Sequence, residues 1–423
     1  MSECTPRYCI IGAGAGGLTC ARHAIDAAVK VTVFEQTDRI GGTWVYTDAV
    51  GHDRNGVPIH TSMYEGLRTN LPRQIMGFPD WDIESDVSYV KQAEVLKWLE
   101  GYAEKFKLQK LIKFEHQVIR VSTTYNDGSK WEVIVKDLRN QRYDTYEFDY
   151  VMVCNGHYTH PMIPEYLGRD SFEGLQLHSH DYRNADQFQD LDLLLVGAGY
   201  SSSDIAIATV KVAKSVTISH HNPEKVDFDI DGSVTVKPAV SKLTSNGVEF
   251  VDGTEMSFSA VIYCTGYKHT FPFLSVDCGI RVEDNHVQPL YKHVININRP
   301  TMALIGVPFY CIPTQMMDLQ ARFCMKYFTG ERKLPSRDDM LRDMEADIAE
   351  RKRRGLPRKW MHKLPGDLQS KYYDDLATTA GIKPIRPALM KLFDECLRRR
   401  GESVQFYRED NFEIVSDEEF RTL

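Results

Sequence analysis

The chain has no stretch of about 18 consecutive apolar residues, the length a helix needs to cross a bilayer. Its start, Met1-Ser2-Glu3-Cys4-Thr5-Pro6-Arg7, lacks the basic region and apolar run of a secretory leader. Residues 416–423 are acidic and carry no hydrophobic anchor. A cytoplasmic protein is the expectation, with secretion as the alternative if a leader preceded residue 1. Positive charge is not in surplus either. Against 51 Lys and Arg stand 59 Asp and Glu, so no surface-wide positive field favours nucleic acid or an anionic membrane. The nine cysteines form no Cys-x-x-Cys pair and no zinc-like spacing. No metal centre is expected, and the odd count disfavours a complete disulfide framework. Their scatter suits small buried side chains in a reducing compartment, with a pair distant in sequence left open. With 42% hydrophobic and 26% charged residues, disorder and fibrous architectures drop out. A length of 423 residues implies two or three domains.

Against those absences stand two copies of one pattern. Tyr8-Cys9-Ile10-Ile11 is a short β-branched and aromatic run that stops at Gly12. Apolar residues then recur at helical spacing (Leu18, Ala21, Ala24, Ile25), and Val31-Thr32-Val33-Phe34 reads as a second strand. Strand, glycine turn, helix, strand is a βαβ unit. The order returns at Leu193-Leu194-Leu195-Val196, Gly197, a helical stretch through Ile205 and Val210, and Val216-Thr217-Ile218. A helix is predicted between 89 and 106, and short alternation from 118 to 150, with Asn126-Asp127-Gly128 as a hairpin turn, predicts a small antiparallel sheet. Both copies end in an apolar strand running into a polar residue and glycine: 150–154 into Asn155-Gly156, and 261–264 into Thr265-Gly266. The expected fold is α/β, with two Rossmann-like dinucleotide-binding domains and the smaller inserted into the larger. Residues 1–165 and 272–423, the latter with C-terminal helices, form the first, and 166–271 the second. Within the charged helical stretch after Ser336, Arg351-Lys352-Arg353-Arg354 reads as a solvated helix face.

The loops carry the chemistry. Gly12-Ala13-Gly14-Ala15-Gly16-Gly17 fits G-x-G-x-x-G between strand and helix. Gly12 permits the tight turn, Gly14 lets backbone approach a pyrophosphate, Gly17 lets helix pack on strand, and the helix N-terminus offers free N–H groups. Glu35, eighteen residues after Gly17, stands where a carboxylate accepts from ribose hydroxyls and repels a 2′-phosphate. That predicts FAD or NAD. The Gly-Gly pair of Gly41-Gly42-Thr43-Trp44 selects FAD and adds Gly42, Thr43 and Trp44 to its site. In Gly197-Ala198-Gly199-Tyr200-Ser201-Ser202 the small Ser202 replaces the third glycine. Ser219, His220 and His221 follow the second strand, where no acid stands and no arginine clamp is evident. NADP is expected there, with histidines as pH-dependent phosphate partners.

Between the loops, the run Phe172-Glu173-Gly174-Leu175-Gln176-Leu177-His178-Ser179-His180-Asp181-Tyr182 matches F-x-G-x-x-x-H-x-x-x-Y, and here the chain resembles the flavin-containing monooxygenases. Gly41-Gly42-Thr43-Trp44, Leu67-Arg68-Thr69-Asn70-Leu71-Pro72-Arg73, Cys264-Thr265-Gly266-Tyr267 and Leu290-Tyr291-Lys292-His293 add to the resemblance. It spans Tyr8 to about Phe328 and is similar to compact insect enzymes, including pyrrolizidine-alkaloid N-oxygenases. The related Baeyer–Villiger monooxygenases carry tryptophan where Tyr182 stands, so Tyr182 points toward heteroatom oxygenation. The resemblance implies that NADPH reduces FAD, that reduced flavin adds O2 as a C4a-hydroperoxide, and that an amine or sulfide takes the terminal oxygen. It implies Asn70 as the catalytic amide, placing NADP+ and the oxygen adduct beside the flavin, although a turn-capping asparagine is the plainer reading of the residue alone. It puts Arg73, where the family more often has lysine, and Thr265 on the NADP side, along with Gly197, Gly199, Tyr200, Ser201, Ser202, Ser219 and His220. It puts Gln320 on the FAD side, with Gln315 and 318–322 facing the flavin and Tyr310 and Met316 as candidates for the substrate pocket. His178 reads as an organiser of the linker. The expected partners are a small amine or sulfide and O2; a homo-oligomer is left open. A ketone-inserting monooxygenase and a non-catalytic flavoprotein redox module remain as other functions.

Overall fold

The computed structural model describes residues 5–124, 129–225, 230 and 232–423, so the turn at 126–128 lies outside the described residues. Arg7–Ile11 runs into the helix Ala15–Asp26 and the strand Lys30–Phe34. The two strands pair in parallel, with Ile11 opposite Phe34, and Tyr150–Val153 joins on the other side, with Val153 opposite Ile11. A strand covered on both faces must be apolar along its length, which is why the run from Tyr8 to Ile11 is buried throughout. The complete sheet reads Leu290–Tyr291, Ile295–Asn296, Met302–Leu304, Tyr150–Val153, Arg7–Ile11, Lys30–Phe34, Ile112–Lys113. Gly12 thus leaves a strand whose neighbours continue to opposite sides. Such a switch point opens a crevice at the carboxyl ends of the strands.

A second, wholly parallel sheet has the order Val234–Lys237, Ser215–Ser219, Asp192–Val196, Ala260–Tyr263, Leu175–His178. Its strands fall between the last Tyr150–Val153 and first Leu290–Tyr291 contributions to the larger sheet. Each sheet carries a small antiparallel appendage. His116–Thr123, Trp131–Asp137 and Arg142–Phe148 form one, with Trp131, Val133 and Val135 buried against Val153 and Leu304. Val240–Leu243, Gly247–Phe250 and Glu255–Ser257 form the other.

The helix Pro313–Phe328 packs along Ala15–Asp26, anchored where the Tyr8 hydroxyl donates to the Phe328 carbonyl at 3.0 Å. Three more helices follow: Arg337–Arg353, Asp367–Ala380 and Pro387–Glu402. Here the basic cluster departs from expectation. Lys352, Arg353 and Arg354 are exposed, but Arg351 is 1% exposed, pairing with Asp347 at 2.6 Å and donating to the Lys363 carbonyl at 2.7 Å. Four consecutive residues cover more than a helical turn, so one of them must face inward. No helix among the described residues is long and apolar enough to cross a membrane.

Candidate active site

At the first loop Gly12 has φ +103°, and a Cβ there would lie 2.6 Å from the Cys154 carbonyl oxygen. At Gly17 a Cβ would sit 1.9 Å from the Gly12 carbonyl oxygen, so helix and turn touch through backbone alone. Gly14 faces Gly42, whose added Cβ would approach the Gly14 Cα to 3.1 Å. These two glycines leave a side-chain-free cradle beside a helix N-terminus with no side-chain cap. Unfilled first-turn N–H groups and the helix dipole suit that cradle to a pyrophosphate. Gly16 borders Met317 and Ile305, so the cradle is apolar on its inner side. Trp44 closes the short helical turn Gly42–Trp44, and the Thr43 carbonyl accepts from the Thr61 hydroxyl at 2.6 Å.

Glu35 is buried. It accepts from the Ala13 N–H at 2.7 Å and from the Thr37 N–H and hydroxyl at 2.8 Å each, which ties the loop to the end of the second strand. Burial pushes its pKa up against the pull of those donors. A carboxylate this fully satisfied fixes the loop as well as offering an oxygen to a ribose. A cavity of about 650 Å³ lies further along the chain from it, between Asp38, Arg39 and Ile40 on one side and Lys97, Glu100 and Glu104 on the other, and neither Glu35 nor the glycine loop lines it.

The second loop repeats this geometry. Gly197 has φ +108°, and a Cβ there would lie 2.5 Å from the Cys264 carbonyl oxygen. Gly199 has open space before it, again at an uncapped helix start, Tyr200–Thr209. Hydrogen-bond register gives the residue-by-residue match. Gly12 N–H donates to Phe34 at 2.8 Å, and Gly197 N–H donates to Ser219 at 2.9 Å. Ser219 therefore corresponds to the buried Phe34. It is 2% exposed, and its hydroxyl donates to the Pro238 carbonyl at 2.7 Å, away from any phosphate. The counterpart of Glu35 is His220, whose N–H donates to Lys237 as Glu35 N–H donates to Lys113. Thr265 donates to the Met162 carbonyl, and Ser201 and Ser202 lie in the first turn of the helix. An arginine from far along the chain reaches the first turn of this helix, not the end of the second strand where a 2′-phosphate clamp would stand. Arg400 lies 4.2 Å over the Tyr200 ring and donates to Ser203 at 3.3 Å.

The linker run is architectural. His178 is buried, accepts from the His180 N–H at 3.0 Å, and is pulled down to about pKa 4 by burial. Tyr182 stacks on Phe188 at 5.9 Å and meets Tyr64 edge-on at 5.6 Å. The next residue, Arg183, is buried and donates to the carbonyls of His180, Tyr182, Met63, Ala49 and Thr61, binding the linker to the 49–63 segment. Sequence reading passed over this arginine because its partners are backbone atoms.

Asn70 is half-buried and accepts from Arg408, which also pairs with Asp204 at 2.7 Å on the second loop's helix. Arg73 donates to the Ile83 carbonyl at 3.0 Å, so part of its fork serves the backbone. Gln320 lies one layer behind the cradle. Wholly buried, it accepts from Gly306 N–H at 2.8 Å and donates to the Tyr372 hydroxyl at 2.7 Å, which holds the turn beside Met317. Gln315 donates to the Gly77 carbonyl at 2.5 Å, and Asp318 pairs with His23 and Arg322 at 2.7 Å each. Met316 is fully buried against Cys311, which leaves no face of it for a substrate, while its half-buried neighbour Met317 borders Gly16 and Gly306. Tyr310 is 41% exposed and holds φ +63°, a strained conformation for an aromatic residue. Burial lowers His60 to about pKa 4 and His157 to about 3, so both rings beside Gly156 are neutral at pH 7. The distant cysteine pair left open by sequence is Cys20 and Cys154, with sulfurs 3.8 Å apart. Burial raises the Cys20 pKa well above its ordinary value, which keeps that sulfur as a thiol.

Comparison with known proteins agrees with this geometry. The family described as flavin-binding monooxygenase-like matches residues 5–226 and 221–398. Senecionine N-oxygenase of Tyria jacobaeae is 33% identical over 98% of this chain and 91% of its own length. Flavin-containing monooxygenase FMO GS-OX5 of Arabidopsis thaliana is 37% identical, covering 89% and 85% respectively. In structure, S-allyl-L-cysteine S-oxygenase from Allium sativum superposes with a TM-score of 0.89 at 31% identity, over 97% of this chain and 96% of that one. The chain therefore belongs to the flavin-binding monooxygenase-like family and is an enzyme of the flavin monooxygenase type.

Proposed function

We propose that this enzyme uses NADPH and O2 to oxygenate a soft nitrogen or sulfur atom of a small molecule, a tertiary amine or a sulfide. The observation that carries the reading is the asymmetry between two otherwise matching loops, with Glu35 after the first and His220 after the second. A carboxylate suits the ribose of FAD, whereas a histidine without an adjacent acid admits a 2′-phosphate. Gly12, Gly14, Gly17, Glu35, Gly42, Thr43 and Trp44 would hold FAD. Gly197, Gly199, Tyr200, Ser201, Ser202 and His220 would hold NADP, with Arg400 closing over it. FAD, when bound, supplies the redox chemistry and the activation of oxygen. The protein supplies position and a dry enclosure, with neutral His60 and His157 adding no cation beside Gly156. In this reading the residues up to 165 and from 272 onward form the FAD domain, and 166–271 the NADP domain.

The named activities of relatives, N-oxygenation in one and S-oxygenation in another, support this substrate class. Tyr182 separates it from ketone insertion. The test is a panel of tertiary amines and sulfides with NADPH consumption and product measured together. We expect one N-oxide or S-oxide per NADPH. Conversion of a cyclic ketone to a lactone with neither oxide formed would overturn the proposal. Bound FAD with no product from any class would point to a redox module instead.

A further inference from the structure

Asn70 and the second loop's helix belong to different parts of the sequence, yet one side chain holds both. Arg408 lies in the short turn Tyr407–Glu409 beyond the last long helix. Its two terminal nitrogens meet the two carboxylate oxygens of Asp204 at 2.7 and 2.9 Å, both side chains being about nine-tenths buried. Its Nε donates to the Thr69 carbonyl at 3.1 Å, and one terminal nitrogen also donates to Asn70 Oδ1. Arg68 reaches back, donating to the Arg408 carbonyl at 2.6 Å and pairing with Glu409 at 2.7 Å. The Tyr64 hydroxyl donates to Asp204 at 2.5 Å. The 64–70 segment, the second loop's helix and the C-terminal arm are thereby knotted at one guanidinium.

The chemistry of that guanidinium determines the orientation of the amide. Arginine has donors only, so the asparagine atom facing it must be the carbonyl oxygen. The Asn70 NH2 is left as the free end, and it has no hydrogen-bond acceptor among the described residues. We propose that Arg408 is a positioning residue that makes Asn70 a dedicated hydrogen-bond donor to the bound nucleotides. Asp204 ties that orientation to the docked state of the second loop's helix. This inference rests on the proposed function, in which Asn70 faces the cofactors.

The test uses the FAD-loaded enzyme and three variants. Asn70→Asp keeps an oxygen toward Arg408 but replaces the NH2 donor with an acceptor. Arg408→Gln frees the amide to turn over, and Arg408→Lys restores a donor-only partner. Thermal midpoint, NADP+ dissociation constant, and the ratio of oxide formed to NADPH consumed are measured for each. Asn70→Asp should keep a near-normal thermal midpoint while its coupling ratio falls tenfold or more and NADP+ binding weakens. Arg408→Gln should lose coupling and NADP+ affinity together, with Arg408→Lys recovering part of both. Coupling and affinity at the unmodified level in Asn70→Asp would overturn the inference, whatever the Arg408 variants do. A shift of thermal midpoint alone in Arg408→Gln would overturn it too. An unmodified enzyme that forms no oxide would instead count against the proposed function, and NADP+ affinity would still report on the amide.

Discussion

The two glycine loops are the same device built to different tolerances. Both begin with a left-handed glycine pressed against the carbonyl of a cysteine, Cys154 in one and Cys264 in the other. Both tie the glycine N–H to the last residue of the second strand. They part at the third position of the motif. A Cβ at Gly17 would overlap backbone at 1.9 Å, whereas the second loop already accommodates the Cβ of a buried serine, Ser202. They part again at the residue after the second strand, where Glu35 is locked by three donors and His220 sits half-buried against His221 at 4.1 Å. Tight packing and a fixed acid suit a cofactor that stays; looser packing and an imidazole in place of the acid suit one that comes and goes.

The largest effect expected is at the third position. Gly17→Ala forces helix and turn apart, and the purified protein should lack flavin absorbance altogether. Ser202→Gly, the reverse change in the second loop, should keep flavin and lower stability by about 0.5 kcal/mol, a helix-propensity cost readable in a thermal melt. A fully flavinated Gly17→Ala would break the comparison. Next comes Glu35→Ala, which strands the buried Ala13 and Thr37 donors and should cost roughly 1–3 kcal/mol besides weakening FAD binding. Flavin fluorescence on dilution and chemical denaturation measure the two parts. His220→Asp sharpens the other side. An acid there should lower the NADPH-over-NADH preference in kcat/KM by about tenfold or more, an effect of about 1.4 kcal/mol.

The last expected effect is the pH dependence of stability, to which the linker histidine His178 contributes together with histidines elsewhere in the fold. His178, His60 and His286, the last in the strand His286–Gln288, are drawn down to about pKa 4 by burial and His157 to about 3, so the folded protein keeps them neutral while the unfolded chain protonates them near 6.5. Below 6.5 the unfolded state binds more protons. Stability is therefore full above pH 6.5 and falls as the pH drops toward 4, by up to about 1.4 kcal/mol per pH unit for each histidine. Denaturation curves between pH 4 and 7 should show that slope, and His286→Asn should flatten it by one proton.

Much of this was legible in the sequence because it is local. A glycine spacing between a β-branched run and an amphipathic run fixes strand, turn and helix together, and both βαβ units formed where the pattern put them. Residues whose partners are distant or are backbone atoms were not legible. The sequence places Ser219, His220 and His221 together after the second strand; only the register separates them, making Ser219 the inward-facing counterpart of Phe34 and His220 that of Glu35. Arg183, Asp204, Arg400 and Arg408 carry no local signature at all. Their meaning comes from carbonyls, rings and carboxylates brought together by the fold. Gln320 and Met316 lie on the helix Pro313–Phe328, whose phase turns them inward, behind the cradle.

The division of labour between the loops is tested by setting Gly12→Ala beside Gly197→Ala. Each places a Cβ within 2.6 Å of a carbonyl oxygen, so the local insult is equal. Flavin content per polypeptide and the KM for NADPH are read on both proteins. Gly12→Ala should lose its flavin, whereas Gly197→Ala should stay yellow with a KM for NADPH raised tenfold or more. Equal flavin loss in both, or a flavin-free Gly197→Ala beside a yellow Gly12→Ala, would contradict that division.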